Sequence, residues 1–439
     1  MKEISVGIVI GLIIYWITSF AFVTNHAILM GLVAFLITLW TNEGLPMGVV
    51  SLLPLVFFPS LGVGSFKEVA SNYANPIIFL FLGGFLIAIA FEKTGLHKVI
   101  AHKILQRFPK TPRGMIYSLM ITSAFLSSIL SNTTITLMLL PIALFLTENR
   151  RLKVRFLIAT AYGATIGGVL TPIGTPPNLI LFGFLENFSI EHVSFVGWIG
   201  MVFPIVFLML LIVPYILSIG LNNEVIEDKE EEHPFNKKQK QLLFVLSGLV
   251  ILLLVNSKLG DFYTGLGLSE KLILLSFGLL MFAPKLEFLV WEDTKKLPYE
   301  IIFLFGAGFS IAGAFVKSGI ALEITHYLSA IQTMPLFFML FIMALFVSFA
   351  TEVTSNTAFI SIALPILYEF IKVTGVDTQL FLMTATIATS YAFMLPIATA
   401  PNAIIISSGV IKIKEMAKIG FLINMIGVII LSIIAYLMW

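Results

Sequence analysis

Four short polar segments interrupt an otherwise apolar chain, and their residue types suit ion binding. Two are Ser-Asn-Thr triplets, at 131–133 and 355–357, and two contain prolines, TPIGTPPN at 171–178 and PIATAPN at 396–402. Their hydroxyl and amide groups are neutral donors and acceptors, and none of the four contains Lys, Arg or His. An anion bound there would be balanced by helix ends and bound cations. Oxygen ligands of this kind suit a hard cation such as sodium.

The two proline-containing segments cannot continue as regular helix, because proline removes a backbone hydrogen bond and clashes with the preceding turn. A broken helix at membrane depth leaves N–H groups that attract anions and carbonyls that attract cations. Asn178 and Asn402 follow the breaks, and we predict that they are the N-caps of the second half-helices. Ser, Thr and Asn also commonly join membrane helices by hydrogen bonds, but four segments repeated in register favour a binding site.

The polar segments belong to a duplication with a constant offset of 224 residues. This offset carries Asn178 onto Asn402. It also aligns 77–96 (IIFLFLGGFLIAIAFEKTGL) with 301–320 (IIFLFGAGFSIAGAFVKSGI), where 13 of 20 positions are identical. Shared apolar composition does not explain the matched glycines and lysines in this pair. In a membrane protein, repeat-related broken helices are typical of a binding site at the repeat interface.

The composition excludes a single soluble domain. The chain has 439 residues, of which 58% are hydrophobic and 11% charged, and its mean hydropathy is +1.02. Apolar runs of spanning length recur along the whole chain, which indicates several membrane helices. The first run, 4–23, lacks a small-residue cleavage pattern and is predicted to be a retained helix. The absence of cysteine excludes disulfides and thiolate metal sites.

We predict an all-α polytopic membrane protein with about 11 transmembrane helices and two re-entrant hairpins, arranged as two inverted-topology repeats with broken helices. Each triplet-containing stretch is compatible with two spans, but the polar tip favours a hairpin. The predicted units are a leading helix (1–24), repeat 1 (25–221) with an inner hairpin (113–148) and a broken helix (155–187), a cytoplasmic linker (222–241), and repeat 2 (242–439) with an outer hairpin (335–372) and a broken helix (378–410).

Basic residues predict that the two repeats are inverted. Six Lys or Arg lie in 93–113, whereas the equivalent stretch 317–337 has one. Four lie in 149–155, and the equivalent 373–379 has none. Because basic residues near span ends stay in the cytoplasm, we expect a cytoplasmic N-terminus and an extracellular C-terminus in a cell membrane.

The segment 95–107 (GLHKVIAHKILQR) alternates apolar and basic residues with helical spacing. This pattern predicts an interfacial helix on the cytoplasmic surface, with an equivalent at 319–331 on the other surface. Two roles stay open for it: a solvated loop helix, or an arm that links a moving domain to a static one.

Glu352 is an intramembrane carboxylate three residues before Ser355, where the first repeat has Ser128. Such residues are costly in lipid and are usually functional. We favour a supporting role over direct cation ligation; proton transport and capping of the hairpin turn are alternatives. There is no Walker motif, no GxSxG context and no metal-ligand spacing among the histidines, so neither an enzyme nor a nucleotide-driven pump is expected. We expect no nucleic-acid partner.

The two Ser-Asn-Thr tips, the TPIGTPPN break and the Ala-Thr-x-Pro-Asn break resemble those of the divalent anion/sodium symporter family, the INDY-type dicarboxylate transporters. The resemblance covers nearly the whole chain. It implies eleven spans, two re-entrant hairpins, a homodimer in the lipid bilayer and an elevator-type movement. It also implies symport of sodium, the coupling ion, with divalent anions, above all C4 dicarboxylates such as succinate, malate and fumarate.

The resemblance also implies roles for individual residues. One sodium site would comprise Ser127, Ser131, Asn132 and Gly174. The other would comprise Thr351, Thr354, Asn356 and Ala398. The anion would contact Ser131, Asn132, Thr133, Thr175 and Pro176 from one half, and Ser355, Asn356, Thr357, Thr399 and Ala400 from the other. Glu352, Asn178 and Asn402 would support them. Ala400 departs from the family pattern, which has proline there.

Two other transport functions remain compatible with these residues. Some branches of the family exchange dicarboxylates instead of coupling them to sodium, although the lack of basic side chains in the four segments favours sodium. Glu352 is the main support for a sodium/proton antiporter or an arsenite-type permease.

Overall fold

The chain folds almost entirely into α-helices, as a computed structural model shows for residues 2–42, 44–190, 193–221, 234–257, 263–320, 334–372 and 374–439. This confirms the predicted all-α fold class. In these residues the α-helices, numbered in chain order, are α1 (Lys2–Thr18), α2 (Thr24–Thr41), α3 (Met47–Ser60), α4 (Phe66–Asn72), α5 (Pro76–Lys93), α6 (Leu96–Leu105), α7 (Pro112–Ser127), α8 (Asn132–Phe145), α9 (Arg150–Gly168), α10 (Pro176–Asn187), α11 (Phe195–Ser218), α12 (Lys237–Asn256), α13 (Glu270–Leu280), α14 (Tyr299–Ser318), α15 (Leu336–Ala350), α16 (Asn356–Lys372), α17 (Thr378–Thr389), α18 (Ala400–Ser407) and α19 (Ile413–Met438). A 3₁₀ helix, Trp291–Lys296, precedes α14.

Six helical segments in the described residues are long and apolar enough to cross a membrane: Thr24–Thr41, Phe66–Lys93, Phe195–Ser218, Lys237–Asn256, Tyr299–Ser318 and Ile413–Met438. The protein is therefore a multi-pass membrane protein. Other apolar helices are shorter or are split by the breaks, so the count of 11 spans stays a prediction. The expected span at 269–284 is an example, because α13 already ends at Leu280, ahead of Pro284.

Two pairs of short helices are joined at the Ser-Asn-Thr triplets. The pair α7 and α8 has 16 and 14 residues, and the pair α15 and α16 has 15 and 17. At about 1.5 Å per residue, each helix is shorter than the hydrocarbon core of about 30 Å. These lengths favour two re-entrant hairpins over four full spans.

The helices can be divided into two groups. The scaffold bundle comprises α2, α3, α4 and α14, which together bury Leu36, Phe58 and Phe315. It also comprises the pair α5 and α13, which reaches α14 through the Phe81–Phe305 ring contact. Helix α14 also packs on α16 of the second group. The site bundle comprises α7 to α11 and α15 to α19, with α7 packed on α9 and α15 on α19. All four polar segments belong to the site bundle.

Elements that the 224-residue offset relates make reciprocal contacts in the scaffold bundle. Helix α3 packs on α14, and its equivalent α13 packs on α5. Lys93 at the end of α5 pairs with Asp293 in the 3₁₀ helix, with Nζ and Oδ2 2.6 Å apart. Its equivalent Lys317 at the end of α14 pairs with Glu68 in α4. Each repeat thus completes the packing of the other.

The surface segments are described in part. The segment predicted to be an interfacial helix forms α6, whose buried face includes Leu96 and Leu105; its place at a membrane surface stays a prediction. Of its predicted equivalent at 319–331, all but the first two residues lie outside the described residues, as do 222–233 of the predicted linker. That linker is shorter than expected, because α12 begins at Lys237 behind an Asn236 cap that accepts a hydrogen bond from the Gln239 N–H.

We predict that Gly83→Ala destabilises the scaffold bundle. A Cβ atom at Gly83 would lie 2.4 Å from the Leu274 carbonyl oxygen of α13, so the two helices must separate, at a cost of about 2 kcal/mol or more. We expect a lower melting temperature in detergent. Gly313→Ala in α14 is the matched control, because a Cβ there meets nothing within 4 Å. Equal melting temperatures for both variants would contradict the predicted close packing of α5 on α13.

Candidate functional site

A cavity of about 960 Å³ lies between the two bundles. Its lining includes residues from both Ser-Asn-Thr tips and both broken helices. All ten residues expected to contact an anion line it, namely Ser131, Asn132, Thr133, Thr175, Pro176, Ser355, Asn356, Thr357, Thr399 and Ala400. Residues more than 200 positions apart in the sequence thus share one cavity. Gly174 and Ala398 also line it, whereas Ser127, Thr351 and Thr354 do not.

The opposite wall belongs to the scaffold bundle and is largely apolar. It includes Phe81 and Phe85 of α5. Near one end the lining also includes Glu92, Lys296 and Glu300, with Lys296 and Glu300 exposed. Lys296 lies on the 3₁₀ helix, far along the chain from all four polar segments, so sequence spacing contained no signal for it.

Four helices begin at the cavity wall. Their first residues, Asn132 of α8, Pro176 of α10, Asn356 of α16 and Ala400 of α18, all line the cavity. The first N–H groups of a helix have no partner within that helix, and the N-terminus carries a partial positive charge. Four such ends in one cavity suit an anion, although the four segments contain no basic side chain.

The first expected cation site is tightly packed around the Asn132 amide. The Ser127 hydroxyl donates to Asn132 Oδ1 at 2.5 Å. A Cβ at Gly168, the last residue of α9, would lie 2.6 Å from the same oxygen, so a larger residue there would displace the Asn132 amide. Gly174 in turn lies against the Gly168 carbonyl. Asn132 Oδ1 is therefore held where α7, α8 and the first break meet.

The second expected cation site contains a buried oxygen without a partner. Asn356 Oδ1 is buried and accepts no hydrogen bond from any residue that the structure describes. The Thr351 and Thr354 hydroxyls donate to the carbonyls of Ser348 and Ala350, both at 3.0 Å, which leaves their lone pairs available. A buried acceptor without a donor is unfavourable, and a bound cation would satisfy it. Hydroxyl, amide and backbone carbonyl oxygens fit sodium.

The prediction that Asn178 and Asn402 are N-caps was wrong. The N-caps of α10 and α18 are Thr175 and Thr399. Each asparagine lies inside its helix, where proline without an N–H occupies a first-turn position. Each amide bridges its break instead. Asn178 Nδ2 donates to the carbonyls of 169 and 171 at 3.3 and 2.9 Å, and Asn402 Nδ2 donates to those of 392 and 395, both at 3.0 Å.

Glu352 does not line the cavity and does not cap its own hairpin turn. Its side chain is 3% exposed and accepts from the N–H groups of Met394 and Leu395 at 2.9 and 3.0 Å. Asn424 Nδ2 of α19 donates to the same carboxylate at 2.6 Å, and Asn424 Oδ1 accepts from the Phe393 N–H at 3.0 Å. Asn424 was not among the predicted site residues, although an asparagine in a long apolar helix was an available signal.

Two further side chains also donate to carbonyls of the breaks. The Trp198 indole donates to the Val169 carbonyl at 3.0 Å. The Tyr162 hydroxyl of α9 donates to the Phe393 carbonyl at 2.6 Å, which joins the two broken helices. Buried backbone groups need such partners at membrane depth. The breaks are thus held rigidly.

Comparison with known proteins identifies relatives over most of the chain. A family model described as a citrate transporter (CitMHS) matches residues 32–388. The sodium-dependent dicarboxylate transporter SdcS of Staphylococcus saprophyticus is 31% identical over 98% of this chain and 90% of its own length. The protein of the same name from Staphylococcus aureus strain USA300 is also 31% identical, with the same coverage.

Two solved structures share the fold. The YdaH transporter of Alcanivorax borkumensis matches 85% of this chain and 88% of its own, with a TM-score of 0.55 and 15% identity. MtrF of Neisseria gonorrhoeae, described as an antimetabolite efflux pump, matches 87% of this chain and 85% of its own, with a TM-score of 0.62 and 14% identity. At these identities the likeness concerns the fold alone.

We predict that Asn402→Ala destabilises the second break. The substitution removes the side-chain donor from the carbonyls of 392 and 395, at a cost of about 2 kcal/mol or more; the 395 carbonyl keeps only the Ala398 N–H, at 3.3 Å. Purified protein should melt at a lower temperature. Ser407→Ala on the same helix is the control, because the exposed Ser407 hydroxyl bonds only to a carbonyl of its own helix. An unchanged melting temperature for Asn402→Ala would show that the break does not depend on this amide.

Proposed function

The chain belongs to the family of citrate transporters and divalent anion/sodium symporters, and on that premise we propose that it couples sodium to the transport of C4 dicarboxylates. The family's transport activity means that the chain is not an enzyme. One observation carries the proposal: two Ser-Asn-Thr tips and two broken helices meet in one cavity. The sodium dependence printed in the names of the SdcS relatives supports the coupling ion. Succinate, malate and fumarate are the proposed substrates.

A dicarboxylate would lie between the two half-sites. One carboxylate would accept hydrogen bonds from Ser131, Asn132 and Thr133, and the other from Ser355, Asn356 and Thr357. The helix N-termini at these tips would favour both negative charges. Ala400 retains an N–H that its equivalent Pro176 lacks, so the second half-site has one more backbone donor at the first position of its helix.

Sodium would supply the positive charge that the four segments lack. The proposed ligands of one ion are oxygen atoms of Ser127, Ser131, Asn132 and Gly174. Those of the other are oxygen atoms of Thr351, Thr354, Asn356 and Ala398. Because these ligands come from the same tips and breaks that would contact the anion, ion binding would order these segments before the anion binds. Sodium binding and anion binding would then be coupled through the segments that they share.

The membrane arrangement is proposed as two inverted repeats, 25–221 and 242–439, with a cytoplasmic N-terminus and an extracellular C-terminus. The reciprocal ion pairs Lys93–Asp293 and Lys317–Glu68 support this arrangement, since the related lysines would lie at opposite membrane surfaces. A homodimer is proposed from the family resemblance.

An elevator-type movement of the site bundle against the scaffold bundle would expose the cavity to each side in turn. The cavity end near Glu92 and Lys296 would face the cytoplasm. Contacts between the bundles hold what would be the outer side, where Asn75 of α5 donates to Asn187 of α10 at 2.5 Å. Lys271 of α13 pairs with Glu186 of α10 beside it. These contacts would have to break for the cavity to open outward.

A sodium-replacement assay tests the proposed function. We expect a sodium gradient to drive radiolabelled succinate into proteoliposomes, and uptake to fall to background when choline or lithium replaces sodium. Uptake that does not change on this replacement would exclude sodium coupling. Uptake only into vesicles preloaded with dicarboxylate would select an exchanger, and proton movement without any carboxylate would select an antiporter. Competition by citrate, sulfate and aspartate would define the substrate range.

We predict that a crosslink between the bundles stops transport. The chain has no cysteine, so Asn75→Cys with Asn187→Cys introduces one thiol on each bundle where the native side chains touch. A short, reducible bifunctional thiol reagent should abolish succinate uptake, and reduction should restore it. Each single variant, treated in the same way, controls for the lost asparagine and for modification itself. Full transport by the crosslinked protein would exclude relative movement at this contact.

A further inference from the structure

A shallow groove with a volume of about 570 Å³ lies beside the first turns of α12. Its lining comprises Lys237, Lys240, Gln241, Phe244, Val245 and Leu286. Five of these residues follow one face of α12 at helical spacing, and the sixth comes from the segment after α13. The groove shares no lining residue with the cavity between the two bundles. It is therefore a separate feature of the surface.

Contacts on the other faces of α12 fix the direction of the groove. The buried Gln239 side chain donates from Nε2 to the Thr94 carbonyl at 3.0 Å. Lys238 Nζ donates to the Glu287 carbonyl at 3.3 Å, which holds the segment after α13 against α12. Thr94 lies between α5 and α6, so α12 begins at the membrane surface that is predicted to be cytoplasmic. The groove points away from these contacts, toward the surroundings of the protein.

The upper part of the groove carries positive charge without a partner. Lys237 and Lys240 are exposed, and neither forms an ion pair with any residue that the structure describes. Because α12 begins at Lys237, both lysines lie in its first turn, where the helix dipole disfavours cations. The dipole gives no reason for them, whereas a bound anion is favoured by the lysines and by the helix N-terminus together.

The lower part of the groove is apolar and lies at the depth of lipid chains. Helix α12 is long and apolar enough to cross a membrane, and Phe244 on its groove face is 81% exposed. At about 1.5 Å per residue, Lys240 and Lys237 lie about 6 and 10 Å from Phe244 along the helix axis. The headgroup region is about 5 to 8 Å thick on each side of the hydrocarbon core. The lysines are thus at headgroup level when Phe244 is among acyl chains.

We propose that this groove binds one anionic phospholipid. Its phosphate contacts Lys237 and Lys240, and one acyl chain lies on Phe244 and Val245. Leu286 closes the groove from the side of α13. Basic pockets beside membrane helices at the cytoplasmic surface bind headgroups of this kind. The site is distinct from the transport cavity, and its test requires no transport.

The chain itself contains another source of negative charge. Six acidic residues lie in 224–232, ahead of α12. Carboxylates of that segment, or free phosphate, could neutralise the lysines but would leave Phe244 uncovered. A phospholipid satisfies the charge and covers the apolar surface with one molecule. The mixed lining of the groove therefore favours the lipid.

Lipid binding to the full-length protein in detergent tests the inference. In native mass spectrometry we expect one phosphatidylglycerol to be retained in preference to phosphatidylcholine. In Lys237→Gln with Lys240→Gln, the Kd for phosphatidylglycerol should rise about 25-fold, about fivefold for each lysine lost. Arginine at both positions keeps the charge and should preserve binding. Equal affinity of the wild-type and double-glutamine proteins would overturn the inference.

The matched control removes two charges from the start of another spanning helix. Lys414 and Lys418 are exposed in the first turns of α19 and line neither the groove nor the cavity. Lys414→Gln with Lys418→Gln should therefore leave the Kd for phosphatidylglycerol nearly unchanged. An equal loss of affinity in this variant would show that net charge, and not the groove, attracts the lipid, and would overturn the inference.

Further arms of the same experiment distinguish the lipid from other anions. Phe244→Ala keeps both lysines and should weaken binding of phosphatidylglycerol but not of glycerol phosphate, which has no acyl chain. Wild-type protein that binds inorganic phosphate as tightly as phosphatidylglycerol would have an anion site only, against the inference. Replacing the six acidic residues of 224–232 by their amides should preserve lipid binding. Lipid binding that appears only in that variant would assign the groove to the acidic segment and overturn the inference.

Discussion

The structure depends on one constraint: a helix that ends inside the membrane must find partners for its last carbonyls and its first N–H groups. The two broken helices satisfy their carbonyls with side chains, chiefly Asn178 and Asn402. The N-termini of the following half-helices are left at the cavity. The hairpin tips add two more. The same requirement for hydrogen-bond partners therefore both fixes the geometry of the breaks and places four helix N-termini at the cavity.

The lack of basic side chains in the four polar segments affects how strongly this site can bind an anion. A lysine or arginine in the cavity would hold an anion whether or not sodium were bound. Helix ends and amide groups bind more weakly, so a dianion needs the charge that cations bring. Affinity for the anion then depends on occupancy by the ion, which is what a coupled transporter requires. Lys296 is at the end of the cavity, where its exposed charge can influence entry without replacing the ions.

Duplication explains the symmetry of the site, and the departures from it are where the two halves acquire different properties. Gly168, which lies against the Asn132 amide, has alanine at the equivalent position 392. Pro176 corresponds to Ala400, and Ser128 to Glu352. Each change alters a group that contacts the cavity, the break or the tip. Two half-sites with one architecture can thus differ in charge, in donor number and in closeness of packing.

Much of the site could be predicted because polar residues in an apolar chain are conspicuous and because the repeat marked them twice. All ten residues proposed to contact the anion could be named in this way, and all ten line the cavity. Asn424 and Tyr162 were not predicted as contributors, since each contacts the second break from a helix far away in the sequence. The polar type of Asn424 in an apolar helix could have marked it, but its partner could not be read from the sequence. Lys296, which lines the cavity from the 3₁₀ helix, had no signal in the spacing. The N-cap assignment failed for a related reason. Asn178 and Asn402 have the right residue type for a cap, but the carbonyls at the end of the preceding half-helix are closer partners in space.

The sequence by itself determined that this is a helical membrane protein, that it is duplicated, and which short segments could bind ions. Hydropathy, the 224-residue offset and the residue types can all be read directly along the chain. Only the tertiary structure decided that the four segments share one cavity, that the asparagines bridge the breaks, and that Glu352 joins a hairpin tip to a break. Those properties arise from helix-to-helix distances, and hydrogen bonds of about 3 Å cannot be inferred from spacing along the chain.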